Sequence, residues 1–67
     1  MKYGKIIDFN GSSGFIIDEN GTKYILLYQN ILYDNAKIGD YVKFKIELFK
    51  TPEIEEKIAI NIKKINN

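Results

Sequence analysis

The chain contains no cysteine, no histidine and no tryptophan, and its single proline is Pro52. Without cysteine there is no disulfide framework and no thiolate metal site. Without histidine the chain lacks the commonest general base, the commonest zinc ligand and any Ser–His or Cys–His dyad. The composition therefore argues against an enzyme, and we expect no catalytic residue, metal ligand or cofactor.

The chain also has little net charge and no arginine. The chain contains ten lysines and nine aspartates and glutamates, which gives a net charge of +1 at pH 7. Strong nucleic-acid binders usually carry a clear basic excess, because phosphate neutralisation supplies most sequence-independent affinity. The balance weakens this class without excluding it, since lysines can cluster locally. No apolar leader and no membrane-length apolar run is present, so we expect a cytoplasmic protein.

The clearest structural signal is the dipeptide Asn20-Gly21, which lies between two β-rich runs at residues 14–18 and 23–28. Asn-Gly favours a tight hairpin turn, because both residues tolerate a positive φ. The hairpin is predicted to project four apolar side chains from one side: Phe15, Ile25, Leu27 and Tyr28. A small domain that exposes such a row usually binds something.

The rest of the chain reads as three more strands and one long connection. Residues 2–10 form the first strand, and residues 29–39 form a connection with one helical turn near residues 29–31. Residues 40–49 alternate in polarity, and residues 50–53 form a loop, since proline cannot donate into a ladder. The alternation of the fourth strand assigns one face to Val42, Phe44, Ile46 and Leu48. The last strand alternates Ile58, Ile60 and Ile62 with Ala59, Asn61 and Lys63.

Five short strands with a break after the third, and no amphipathic helix, predict an all-β domain over residues 1–67. At this size a domain is near the lower limit for folding unaided. Closing so small a sheet into a barrel hides its edges. The strand count and the position of the long connection favour a five-stranded OB-fold barrel, with an SH3-like barrel as the alternative.

Several short motifs, in order, resemble the cold-shock domain family over nearly the whole chain. The opening motifs are Gly4-Lys5-Ile6, Phe9-Asn10 and Gly14-Phe15-Ile16. The later ones are Gly39-Asp40-x-Val42-x-Phe44-x-Ile46 and Ala59-x-Asn61-Ile62. The resemblance implies an OB barrel that stacks bases of single-stranded RNA or DNA on aromatic residues of its second and third strands. It also implies six core positions: Ile6, Ile16, Leu26, Val42, Phe44 and Ile62.

The departures from the family pattern fall on the ligand face. Asp8 stands where the family has a tryptophan, and the motif around Phe15 is shortened so that one of two aromatics remains. Residues 23–31 lie where the family has its second aromatic motif. There Ile25 and Leu27 replace a phenylalanine and a histidine, and Tyr28 replaces the last phenylalanine. The fold is expected to be retained, while the ligand face is rewritten.

These observations predict weak binding of single-stranded RNA or DNA by a cold-shock-like module. The expected contact residues are Lys5, Phe9, Phe15, Lys23, Ile25, Leu27 and Tyr28. The alternative is a protein-interaction or self-association module. In that case Ile25 and Leu27, on the same face, contact a protein partner or a second copy of the chain in a homodimer. No small-molecule substrate and no membrane is expected as a partner.

Two further groups keep two interpretations each, and a third has one. Phe9 suits the edge of the core as well as the ligand face, and a stripe of lysines suits a solvated strand face as well as a phosphate path. That stripe comprises Lys5, Lys23, Lys43 and Lys45. The scattered aromatics are expected to be mostly half-buried structural residues: Tyr3, Tyr33, Tyr41 and Phe49.

Overall fold

The computed structural model describes residues 1–32 and 35–65, so the expectation for Tyr33 lies outside the described residues. Its strands are β1 (Lys2–Phe9), β2 (Ser13–Asp18), β3 (Lys23–Leu27), β4 (Tyr41–Lys50) and β5 (Glu55–Lys64). A single 3₁₀ turn, Tyr28–Asn30, follows β3 where the sequence predicts one helical turn. The strand boundaries agree with the sequence prediction to within a few residues.

The five strands close into a barrel in the order β1-β2-β3-β5-β4. All neighbouring strands are antiparallel except β3 and β5, which run parallel and pair Ile25 with Ile58 and Leu26 with Ala59. A parallel pair needs a long crossover, and the connection between β3 and β4 together with β4 itself supplies it. The prediction of an all-β, OB-like small barrel is confirmed.

The barrel interior is filled by one apolar cluster. The six core positions implied by the family resemblance are all completely buried. Tyr24 and Ala59 complete the cluster, and the rings of Tyr24 and Phe44 meet with centroids 5.2 Å apart and planes tilted by 60°. Tilted contact at this distance suits the quadrupoles of two aromatic rings.

A β-bulge at Ile7 changes which side chains of β1 point inward. Ile6 pairs with Ile16, but Asp8 pairs with Phe15, so that Ile7 is an extra residue in β1. A one-residue insertion inverts the alternation beyond it. Asp8 therefore points outward, and Phe9 points inward and packs against the core cluster.

Gly14 permits the close approach of β1 and β2 beside this bulge. A Cβ atom at Gly14 would lie 1.8 Å from the carbonyl oxygen of Asp8, which is impossible without moving the backbone. No side chain larger than hydrogen fits between the two strands at this point. Glycine here is required by the space that the bulge leaves.

A second bulge, at Asn61 in β5, corrects the sequence prediction for the last strand. Lys43 pairs with Lys63 and Lys45 pairs with Ile60, so β5 holds one extra residue, and Asn61 adopts a positive φ of 51°. Asparagine tolerates this conformation better than most residues. The regular alternation of Ile58, Ile60 and Ile62 is therefore broken: Ile62 is buried, and the other two face outward.

The far half of β4 keeps the predicted alternation but is less buried than the near half. Val42 and Phe44 are buried as expected, but Ile46 and Leu48 are exposed. The reason is that β1 pairs with β4 only as far as Phe44, and β3 pairs with β5 only at Ile58 and Ala59, which lie opposite Glu47 and Ile46. Beyond Glu47, β4 and β5 continue as a two-stranded arm to Lys50 and Glu55. The alternation of β4 is real, but there is no core opposite its second half.

The largest buried side chain sets a direct test of this packing. Phe44→Ala removes a fully buried ring and leaves a cavity, so we expect a loss of about 3–5 kcal/mol in the free energy of unfolding. Urea unfolding followed by circular dichroism measures it. Phe49→Ala removes the same ring from an exposed position on the arm and should change the stability by less than about 1 kcal/mol. Equal losses in both variants would contradict the core assignment.

Candidate nucleic-acid interface

One row of outward side chains crosses all five strands. The pairings Asp8–Phe15, Phe15–Ile25, Ile25–Ile58 and Ile58–Glu47 link β1, β2, β3, β5 and β4 in turn. Residues directly opposite each other on neighbouring strands share a face. We call these five residues the outer row. Its centre is apolar, and each end carries a carboxylate.

The strand register brings most of the predicted contact residues together beside this row. Phe15 and Ile25 belong to it, and Leu27 lies two residues further along β3, opposite Ser13. Tyr28 opens the 3₁₀ turn directly after β3 and is 51% exposed. Phe15, 41% exposed, presents its ring on the outer row itself.

Phe9 is the predicted contact residue that the structure places elsewhere. The bulge at Ile7 turns its side chain inward, opposite Gly14, where it is half-buried against the core. This is the core-edge position that the sequence left open. Phe9 therefore packs under the sheet and adds no aromatic ring to the outer face.

The two predicted lysines both lie against aromatic rings. The ammonium of Lys23 is 5.8 Å from the centroid of Phe15, and that of Lys5 is 5.7 Å from the centroid of Tyr41. Both distances allow a cation–π attraction of roughly 0.5–1 kcal/mol at an exposed site. Lys23 places a positive charge beside the Phe15 ring, whereas Lys5 leans away from this ring towards β4.

Ile58 and Ile60 belong to the same surface, and the sequence analysis missed them. Ile58 pairs with Ile25, and Ile60 follows two residues later beside Leu27 on the neighbouring strand. The bulge at Asn61 is what turns them outward. The signal in the sequence was Asn61 itself, a residue that accepts positive φ inside an otherwise regular strand pattern.

The β2–β3 turn that presents this face is held by the buried carboxylate of Asp18. One carboxylate oxygen accepts hydrogen bonds from the backbone amides of Asn20 and Thr22, at 2.9 and 3.0 Å. The other accepts a hydrogen bond from the Tyr24 hydroxyl at 2.9 Å and lies 3.7 Å from the Lys2 ammonium. Gly21 completes the turn with a φ of 84°.

These contacts shift the pKa values of both Asp18 and Tyr24. Burial raises the pKa of Asp18, but the hydrogen bonds from Thr22, Tyr24 and Asn20, with the charge of Lys2, outweigh it and leave the pKa below 3.8. Burial and the Asp18 carboxylate both raise the pKa of Tyr24 above 10.0. The pair is thus stable as a carboxylate and a neutral phenol around neutral pH.

The lowered pKa of Asp18 predicts a loss of stability in acid. As pH falls, the unfolded chain takes up the proton near pH 3.8 while the folded chain still resists it. The contribution of Asp18 is therefore complete above about pH 5 and is lost as pH falls towards the folded pKa. Urea unfolding at several pH values measures this slope.

The matched variants for this test are Asp18→Asn and Asp8→Asn. Asp18→Asn should flatten the acid slope and lower the stability at pH 7, because an amide accepts these hydrogen bonds less well than a carboxylate. Asp8→Asn changes an exposed carboxylate and should keep the slope of the parent. A full acid slope in Asp18→Asn would show that other carboxylates control it.

The described residues contain no cluster of three or more histidine, cysteine or carboxylate side chains placed to hold a metal ion. In the same part of the chain, no helix has the length and apolar character needed to cross a bilayer.

In the comparisons with known proteins, no family model matches this chain, and no curated protein matches it in sequence.

Proposed function

We propose that this chain is a non-enzymatic module that binds single-stranded RNA or DNA weakly through the outer face of β2 and β3. The observation that carries the proposal is the exposed pair Phe15 and Tyr28, with the Lys23 ammonium beside Phe15. OB folds bind oligonucleotides on the face of strands 2 and 3. The resemblance to cold-shock domains supports the same assignment.

In this mechanism two bases stack on Phe15 and Tyr28. Ile25, which is paired with Phe15, and Leu27, which precedes Tyr28 in the chain, contact the sugars and base edges. Lys23 and Lys5 neutralise nearby phosphates. Stacking contributes about 1–3 kcal/mol per base, so two rings and a few phosphates support micromolar or weaker affinity.

The stacking residues provide the first test. Phe15→Ala combined with Tyr28→Ala should abolish binding of mixed-sequence single strands, measured by fluorescence anisotropy. The matched control, Leu27→Ala, removes an apolar side chain without a stacking surface and should change the affinity little. Each phosphate contact should add about −0.7 to the slope of log K against log salt. Full binding by the double variant would contradict this mechanism.

Asp8 provides the second test, because it is the partner of Phe15 across β1 and β2. Asp8→Trp should tighten single-strand binding by roughly 1–3 kcal/mol, the contribution of one stacked base. Asp8→Asn should give a smaller gain that fades as salt rises, since it relieves only a screened repulsion. Unchanged affinity in both variants would mean that nucleic acid does not meet this end of the outer row.

A second candidate function is association with another copy of the chain through the apolar centre of the same face. The observation that favours it is the continuation of the Ile25–Leu27 pair onto Ile58 and Ile60 of β5. Such a contiguous apolar patch on a small domain is a typical interaction surface. If the Asp8 variants disturb self-association in sedimentation velocity and leave oligonucleotide binding unchanged, this candidate replaces the first.

A further inference from the structure

A second aromatic and basic surface lies on the outer side of β1 and β4. The register pairs Tyr3 with Lys43 and Lys5 with Tyr41, and these pairs alternate with buried Val42, so they face outward. Tyr3 is 60% exposed and Tyr41 is 57% exposed. We call the four residues the tyrosine–lysine face. The sequence predicted that Tyr3, Tyr41 and Phe49 are mostly half-buried structural residues, and this prediction is wrong, because all three side chains are exposed.

Positive charge is concentrated around this face. Lys43 pairs on its other side with Lys63 of β5, and Lys5 pairs with Ile17, which in turn pairs with Lys23 of β3. These two rows contain no carboxylate. Several acidic residues lie instead at the end of the outer row or on the β4–β5 arm and its loop: Glu47, Glu53, Glu55 and Glu56. The near-zero net charge of the chain therefore conceals a locally basic surface.

The face borders an open groove of about 1020 Å³ at the end of the barrel. Its lining includes Tyr3, Lys5, Tyr41 and Lys45 together with two acidic residues, Asp18 and Glu19. The carboxylate of Asp18 is already held by its hydrogen bonds and by Lys2. The groove supplies both elements that a single strand requires, namely aromatic rings on which bases stack and ammonium groups that track phosphates. The Lys5 ammonium lies 5.7 Å from the centroid of the Tyr41 ring, which is 57% exposed. A phosphate bound by Lys5 is therefore adjacent to a base stacked on the open side of that ring.

We propose that the tyrosine–lysine face is a second contact surface for the single-stranded nucleic acid of the proposed function, on which this inference rests. The row from Lys23 through Ile17 to Lys5 and Tyr41 joins it to the β2–β3 face. Three strand spacings of about 4.8 Å separate β3 from β4 along this path, or roughly 14 Å. One strand of several nucleotides contacts both faces.

The presence of the tyrosines favours a nucleic acid over other polyanions. Inorganic polyphosphate and an anionic lipid surface would use only the lysines, whereas a nucleic acid also offers bases to the two exposed rings. Removing the rings should therefore weaken binding of a strand with bases and leave binding of a strand without bases unchanged. This difference forms the basis of the test.

The experiment measures anisotropy with a thymidine homopolymer of about 12 nucleotides, within the site sizes of OB folds. Its uridine counterpart and an abasic strand of equal length are measured in parallel. Tyr3→Ala combined with Tyr41→Ala removes two stacking rings and should weaken binding of the homopolymers by about 30-fold or more. Binding of the abasic strand should not change. Tyr3→Phe combined with Tyr41→Phe retains both rings and should bind as the parent does.

The lysine arm of the experiment uses the salt dependence. Lys43→Gln should reduce the magnitude of the log K against log salt slope by about 0.7, the contribution of one phosphate contact to a single strand. Its matched control is Lys57→Gln, which removes an exposed lysine from the arm and should leave the slope unchanged. Thermal melting confirms that each variant is folded.

The outcomes separate this inference from the proposed function. Parent-like binding by the Tyr3 and Tyr41 alanine variant, with loss in the Phe15 and Tyr28 variant, overturns the second surface and leaves the first. No binding of either homopolymer by the parent protein overturns both. If the parent binds the abasic strand, polyphosphate or anionic phosphatidylserine vesicles as tightly as the homopolymers, and the tyrosine variant binds the homopolymers no more weakly than the parent, the face is a general polyanion surface and the proposal is overturned.

Discussion

Two β-bulges, at Ile7 in β1 and at Asn61 in β5, determine which side chains of this barrel reach solvent. Because a strand alternates with a period of two, one extra residue exchanges the two faces for everything beyond it. The first bulge moves Asp8 outward and Phe9 inward. The second leaves Ile58 outside while Ile62 enters the core. The chemistry of the candidate surface follows from these two insertions.

The strands and the core could be predicted from the sequence, because both depend on local patterns. The Asn-Gly turn located the β2–β3 hairpin, and the alternation through Val42 and Phe44 located the buried half of β4. The bulges could not be predicted in the same way. Ile58, Ile60 and Ile62 form a perfectly regular pattern, and only the closure of β5 against both β3 and β4 selects which of them is buried.

The candidate surfaces were predictable only where their residues are close in sequence. Phe15, Ile25 and Tyr28 belong to one hairpin, so their proximity follows from the turn. Tyr3 and Tyr41 are far apart, and only the register of β1 against β4 places each opposite a lysine. The same register concentrates lysines that the overall composition balances with carboxylates. Net charge describes the whole molecule, whereas a polyanion responds to charge within about a Debye length.

The half-buried apolar residues at the centre of the outer row have a physical consequence for any ligand of this barrel. Ile25 and Ile58 offer area but no π face and no charge, so the centre of the outer row gives contact without selecting a base. The carboxylates of Asp8 and Glu47, at the two ends of the row, repel phosphates. They therefore favour a path of the nucleic-acid strand that turns away from the row before it reaches either end. The lysines continue in that direction, from Lys23 across β2 to β1. A strand that follows them meets weak sites in succession, and linked weak sites reach useful affinity only when one ligand spans them. Such a barrel would discriminate by strand length more than by sequence, because stacking tolerates every base.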